Sequence, residues 1–254
     1  MKMERITSRK NSYISHIRRL EKENSYRREN GEFICDGEKM LEEAVAAGKR
    51  IMSVLWKESG TAPEPMLTDN ADCAEYICPA ELFDYASPMI SSPGPLFTVA
   101  IDDNKKDFSF NNAIILENVQ DPGNVGTIIR TANAFGIDAV ILTGACADIY
   151  NPKTVRSTMG AVFRQHIISM SLNDISRTLK NRNMKLYGAV LSPRAKKLDE
   201  VHIKNSAVAV GSEGQGLSHE IIELCDGEII IPMQPGSESL NAAVAASVIM
   251  WEMR

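Results

Sequence analysis

The chain has 254 residues, of which 44% are hydrophobic and 24% charged, with a formal net charge of −5. That length can bury one or two domain cores, and the balance is that of an ordinary globular protein. No apolar run approaches the ~20 residues of a membrane span, the candidate from Ala242 to Trp251 being interrupted by Ser247, and no apolar stretch follows the first charges as it would in a signal peptide.

Residues 1–30 hold nine Lys and Arg against four Glu, a net of +5, so the remainder carries −10. A basic arm on an acidic body suits phosphate binding, although a solvated helix face has the same composition. From Glu32 to about Ala100 short apolar runs (Ile51–Trp56) alternate with helical stretches (Glu38–Ala47), with punctuation at Gly60–Pro65 and Ser87–Pro95. This reads as a small α/β domain within residues 1–100. The polar, aperiodic residues 101–112 read as a linker.

From Ala113 the pattern becomes regular. Strands are expected at Ile114–Leu116, Ala139–Leu142, Lys185–Val190, Ala207–Val210 and Glu228–Ile231. Helices are expected at Asn124–Phe135, ended by Gly136, from Ser171 to about Arg182, from Ser218 through Leu224, and from about Leu240 to Glu252. Alternating strands and helices imply a mostly parallel sheet covered on both faces over residues 113–254.

Three loops at strand ends hold more glycine and polar residues than connection requires, and ligands of parallel sheets bind there. The first runs from Leu116 to Arg130; Pro122 and Gly123 turn the chain, Asn124 begins the helix, and Arg130 shares a face with Thr127 and Gly126. The second, Gly211-Ser-Glu-Gly-Gln-Gly-Leu217, follows a buried strand with spacing GxxGxG, and Glu213 within it would repel a phosphate. The third runs from Ile230 through Pro232, Pro235 and Gly236 to Ser239 and Asn241, with Ser239 expected to cap a last helix that is apolar nearly all round. Such a helix must be buried against another element or another subunit. Taken singly, each of these residues also reads as a cap or a surface cation.

Taken together, the three loops resemble the SpoU/TrmH family of RNA ribose methyltransferases, within the SPOUT superfamily. Asn124-Val-Gly-Thr-Ile-Ile-Arg130 is similar to the family's first motif, Gly211–Leu217 to its second, and Ile231-Pro-Met with Ser239-Leu-Asn241 to its third; Ala242 and Ala243 depart from the valine and serine of many relatives. Tyr150–Phe163 resembles the stretch between the first two motifs, and residues 1–100, best at Phe33–Lys39, resemble the L30e-like RNA-binding domain that precedes the catalytic domain in rRNA-directed members. The resemblance implies a C-terminal trefoil knot, a homodimer, S-adenosylmethionine as cofactor and RNA as partner, with rRNA favoured over tRNA because an N-terminal domain of about 100 residues precedes the catalytic half and no helical extension is expected after Arg254. It places the cofactor on Gly211, Ile231 and Leu240, with Gly214 and Gly216 of the same loop, and puts Asn124, Arg130, Glu213, Ser239 and Asn241 around the reacting centre. A guanidinium stays protonated in proteins, so Arg130 is expected to act by its charge and not as a base.

Five scattered cysteines (Cys35, Cys73, Cys78, Cys146, Cys225) and four isolated histidines (His16, His166, His202, His219) suit a reducing cytoplasm and predict no metal site. Two other readings compete. A decayed RNA-binding module would not need Asn124, Arg130, Glu213 and the Ser-Leu-Asn triplet together. A nucleotide-dependent oxidoreductase would need GxGxxG and a following acid, which the chain lacks.

Overall fold

The computed structural model describes residues 3–58, 73–102, 108–234, 236 and 239–254. The expected turn at Gly60–Pro65, the middle of the expected linker (103–107), and Pro235, Ser237 and Glu238 lie outside the described residues. Two compact units are present, Met1–Asn104 with Tyr150–Phe163, and Lys105–Ile149 with Arg164–Arg254.

The first unit runs β1 (Glu4–Arg5), α1 (Ser12–Lys22), α2 (Asn24–Asn30), β2 (Glu32–Asp36), α3 (Glu38–Ala46), β3 (Ile51–Lys57), β4 (Ala74–Cys78), α4 (Ala80–Ala86) and β5 (Leu96–Ala100). Its mixed sheet has the order β1-β4-β3-β5-β2, with β5 antiparallel to both of its neighbours. Asn11 caps α1 by accepting from the Tyr13 N–H, and Ile14, Ile17 and Leu20 bury one face of that helix at a spacing of three. The basic N-terminus is therefore folded structure and not a free arm. Arg27 is buried and donates to the Leu20 and Glu21 carbonyls at the end of α1, while Arg5, Arg18 and Arg19 pair with Glu58, Glu21 and Glu23. Glu21 and Glu23 already enter the net of +5; Glu58 lies outside residues 1–30, and its pairing with Arg5 is one that the count does not see.

The second unit contains β6 (Ala113–Glu117), α5 (Pro122–Phe135) and β7 (Ala139–Thr143); α6 (Pro152–Thr158), which comes next in the chain, belongs to the first unit. It continues with β8 (His166–Ser169), α7 (Leu172–Asn181), β9 (Leu186–Ala189), β10 (Lys196–Lys197), β11 (Ala207–Val210), α8 (His219–Leu224), β12 (Gly227–Ile230) and α9 (Ala242–Met253). All pairings in its seven-stranded sheet, β10-β12-β9-β11-β6-β7-β8, are parallel. Every residue of β6, β7 and β11 is buried, as a sheet covered on both faces requires. On one face Ile115, Ile141 and Ala209 pack in one core with Ile175 and Leu179 of α7 and Ile221 of α8. α9 packs against α5 and β11. The described end of the expected linker is docked here: Phe110 is buried and the Arg182 guanidinium lies 4.4 Å from its ring centre.

The expected elements of this unit are all present, with ends shifted by one or two residues. β8 has no counterpart in the sequence reading, because His166-Ile-Ile-Ser is too short and too polar at its ends to stand out.

Candidate active site

Three loops leave the carboxyl ends of β6, β11 and β12. After β6, Asn118 takes a left-handed backbone (φ 55°) and its side-chain oxygen accepts from the Ala145 N–H at 2.7 Å. Asp121 then caps α5 by accepting from the Asn124 N–H at 2.9 Å, with Pro122 in the first turn. The helix therefore starts two residues before the expected Asn124, and Asp121 relieves Asn124 of capping, leaving its side chain available.

After β11 the glycine loop closes on itself. Gly216 N–H donates to the Ser212 carbonyl at 2.8 Å, and Ser212 and Gly216 form an isolated antiparallel bridge. The three glycines are there for different reasons. Gly216 needs its positive φ of 68°. A Cβ at Gly211 would fall on the Gly216 carbonyl and the Leu217 nitrogen. At Gly214 the φ is ordinary and a Cβ would meet nothing, so no neighbour within the described residues requires a glycine there.

The loop ends on a residue that the sequence reading missed. Glu117, 3% exposed at the end of β6, accepts from both the N–H and the hydroxyl of Ser218, at 2.7 and 2.6 Å. Ser218 in turn caps α8. This carboxylate clamps the far end of the glycine loop to the neighbouring strand. A glutamate closing a hydrophobic strand gives no signal of such a role in one sequence.

The third loop corrects an expectation. Asn241, not Ser239, caps α9, its side-chain oxygen accepting from the Ala243 and Val244 N–H groups at 2.9 and 3.2 Å. Ser239 and Leu240 instead line a cavity of about 430 Å³ that they share with Gly211, Gly214, Gly216 and Ile231. Its walls are largely apolar, with Ser212, Glu213, Gln215 and Ser239 among the polar lining residues, which suits a small organic ligand.

The loops meet at Glu213, which also lines this cavity. Glu213 Oε1 accepts from Asn124 Nδ2 at 2.5 Å, from Asn241 Nδ2 at 2.7 Å and from the Ala242 N–H at 3.4 Å; Asn241 Nδ2 also reaches Asn124 Oδ1 at 3.1 Å. One carboxylate oxygen thus ties together the N-terminal turns of α5 and α9, where helix dipoles favour negative charge. The fold brings Asn124, Glu213 and Asn241 into contact across 117 positions of sequence. Arg130 is not in this cluster. It is exposed six residues further along α5, roughly 9 Å along the axis, and no carboxylate pairs with it among the described residues. Its charge is therefore uncommitted.

α9 is buried on the side of Ala242, Ala246, Ile249 and Met250, but Val244, Val248 and Trp251 remain 49%, 38% and 49% exposed. No group of three or more potential metal ligands occurs among the described residues. All five cysteines are free, and burial pushes the Cys78 and Cys225 thiols up to about 12.

A profile of the SpoU rRNA Methylase family matches residues 111–251. The chain is 31% identical, over 99% of its length and all of the relative's, to the 23S rRNA (guanosine(2553)-2′-O)-methyltransferase RlmP of Bacillus subtilis. Among solved structures it is similar to an RNA 2′-O ribose methyltransferase, with 27% identity, a TM-score of 0.81 and coverage of 98% of this chain and 97% of that one. The fold is also that of the AdoMet-bound rRNA methyltransferase of Sinorhizobium meliloti, at a TM-score of 0.87 and 24% identity over 98% and 97% of the two chains.

Proposed function

The chain belongs to the SpoU rRNA methylase family, and from that premise we propose that it methylates a ribose 2′-hydroxyl of ribosomal RNA with S-adenosylmethionine as donor. The observation that carries the reading is the junction of Asn124 and Asn241 on Glu213, a residue that also lines a largely apolar cavity at the strand ends. That cavity fits the cofactor. At about 430 Å³ it lies within the ~300–1,000 Å³ usual for such ligands, and Gly211, Gly214, Gly216, Ile231 and Leu240 would hold the molecule against backbone groups and apolar side chains.

The cofactor supplies an electrophilic methyl on a sulfonium whose leaving group departs neutral. The protein's task lies with the other reactant, a hydroxyl that ionises poorly near neutral pH. Preorganised positive charge near the developing oxyanion lowers that barrier, and positioning the hydroxyl removes an entropic cost. That charge is assigned to Arg130 by its place in the first motif; its side chain is exposed and no carboxylate pairs with it among the described residues. Asn124, Glu213 and Asn241, held together by their own hydrogen bonds, form the fixed polar edge against which the ribose is set, and Ser239 on the cavity wall completes it.

We further propose that residues 1–100 form an L30e-like substrate-binding domain, joined through 101–112 to a catalytic domain of residues 113–254 that carries a trefoil knot. The first unit suits RNA: Arg9 and Arg18 lie 4.6 and 4.8 Å from the ring centre of Tyr85, a cationic and aromatic surface for phosphates and bases. The test is methylation of purified unmodified rRNA and tRNA with labelled cofactor. Label is expected in rRNA, and label in tRNA alone would overturn the substrate assignment. Arg9→Ala with Arg18→Ala is expected to weaken rRNA methylation; an unchanged rate would remove this surface from substrate selection.

The assembly is proposed to be a homodimer through α9, because Val244, Val248 and Trp251 form one exposed apolar stripe at helical spacing. Sedimentation velocity at micromolar concentration is expected to give the dimer mass; a monomer would refute it. Five free thiols suit a cytoplasmic location, which cell fractionation would check.

A further inference from the structure

A second cavity, of about 440 Å³, lies between the loop after β6 (Asn118, Val119, Gln120, Asp121) and the glycine loop (Ser212, Glu213, Gly214, Gln215). Residues 212–215 also border the first cavity, so one strip of backbone is a common wall. We propose that this second cavity receives the base of the nucleotide being methylated, and that the Gln120 and Gln215 carboxamides read its hydrogen-bonding edge. The inference rests on the ribose-methyltransferase reading above.

The geometry of the reaction asks for such a neighbour. In-line displacement places the attacking oxygen opposite the departing sulfur, so the nucleoside must lie beside the cofactor cavity and outside it. A cavity that shares its wall with the first, next to Glu213, meets that condition.

The lining chemistry selects among ligands. Asp121 is committed to the Asn124 N–H, and the Asn118 oxygen to the Ala145 N–H. Gln120 and Gln215 are both exposed, and no side-chain hydrogen bond engages either carboxamide among the described residues; Gln215 uses only its backbone N–H, toward Ser212 Oγ at 3.3 Å. A carboxamide offers a donor and an acceptor in one plane, which matches the edge of a base unstacked from single-stranded RNA. Gly214, required by neither φ nor contact, leaves the shared wall without a side chain so that a flat ring can approach the backbone. A phosphate would be poorly served, since Asp121 and Glu213 both border the space.

Gln120 borders only the second cavity, which makes it the clean probe. Gln120→Ala is expected to lower kcat/KM for RNA by at least ~10-fold, chiefly through KM, while calorimetric affinity for S-adenosylmethionine stays within about twofold of wild type. A synthetic RNA carrying an abasic site at the nucleotide mapped from the wild-type reaction should erase the difference between variant and wild type, an outcome that a merely structural role for Gln120 would not produce. If the wild-type protein transfers no label to any RNA, the underlying reading fails and this assignment with it. If wild type is active and Gln120→Ala matches it, or the variant's deficit persists on the abasic RNA, the base assignment alone is overturned.

Discussion

Arg130→Ala is expected to lower turnover at least ~10²-fold while leaving the affinity for S-adenosylmethionine nearly unchanged. The magnitude is that of removing one preorganised charge-stabilising group from a site where negative charge develops on oxygen. The separation of effects follows from position. Arg130 does not border the cofactor cavity and takes no part in the hydrogen bonds that join Asn124, Glu213 and Asn241, so its loss should leave both intact. Nor should the fold suffer, because the side chain is exposed and unpaired by any carboxylate among the described residues. Arg130→Lys should fail substantially as well, since an ammonium cannot reproduce the planar fork of donors. Single-turnover rates and calorimetric titration of both variants check this; near-normal turnover in Arg130→Ala would remove it from the chemistry.

How far the sequence alone carried the reading depends on whether information was local. The strands of the second unit were legible because parallel strands buried on both faces are short apolar runs, and Ile114–Leu116 or Ala207–Val210 can hardly be anything else. The caps at Ser171 and Ser218 were legible for the same reason, each bonding to an N–H three residues on. The end of the third loop was misread because Ser239 and Asn241 are both good caps two residues apart, and only the tertiary position of Glu213 decides between them. Glu213 accepts from the Ala242 N–H and Asn241 from the Ala243 and Val244 N–H groups, so the first three N–H groups of the helix are met with Asn241 as its cap.

Long-range partners were not legible at all. Glu117 meets Ser218 across 101 positions, and Asn124 meets Glu213 across 89. No periodicity or spacing within one sequence encodes those distances; the sheet order, which puts β6 beside β11, creates them. The family resemblance named Asn124, Glu213 and Asn241 as a group but could not say that a single carboxylate oxygen joins them. The last helix shows the opposite case. Its composition is apolar nearly all round, and its packing on α5 and β11 leaves Val244, Val248 and Trp251 exposed, the stripe on which the proposed dimer rests.

Gly211→Ala is expected to weaken cofactor binding at least ~100-fold, equivalent to about 2.7 kcal/mol. A side chain that merely intruded on the ligand would cause such a loss with the fold undisturbed. The geometry gives a different cause. The added Cβ would land on the Gly216 carbonyl and the Leu217 nitrogen, both backbone, so neither can swing aside as a side chain would. The Ser212–Gly216 bridge must open, and with it the wall that both cavities share. Such overpacking costs about 1–3 kcal/mol of stability even without ligand, so the melting temperature should fall together with affinity. Gly214→Ala separates the two effects. Its φ is ordinary and its Cβ would sit in open space, so its stability should match wild type. Any loss of affinity there reports contact with the ligand itself. Calorimetric titration beside thermal unfolding of the ligand-free proteins decides the matter: unchanged affinity in Gly211→Ala would take the loop out of the site, and a stability loss in Gly214→Ala would mean that its glycine serves the fold after all.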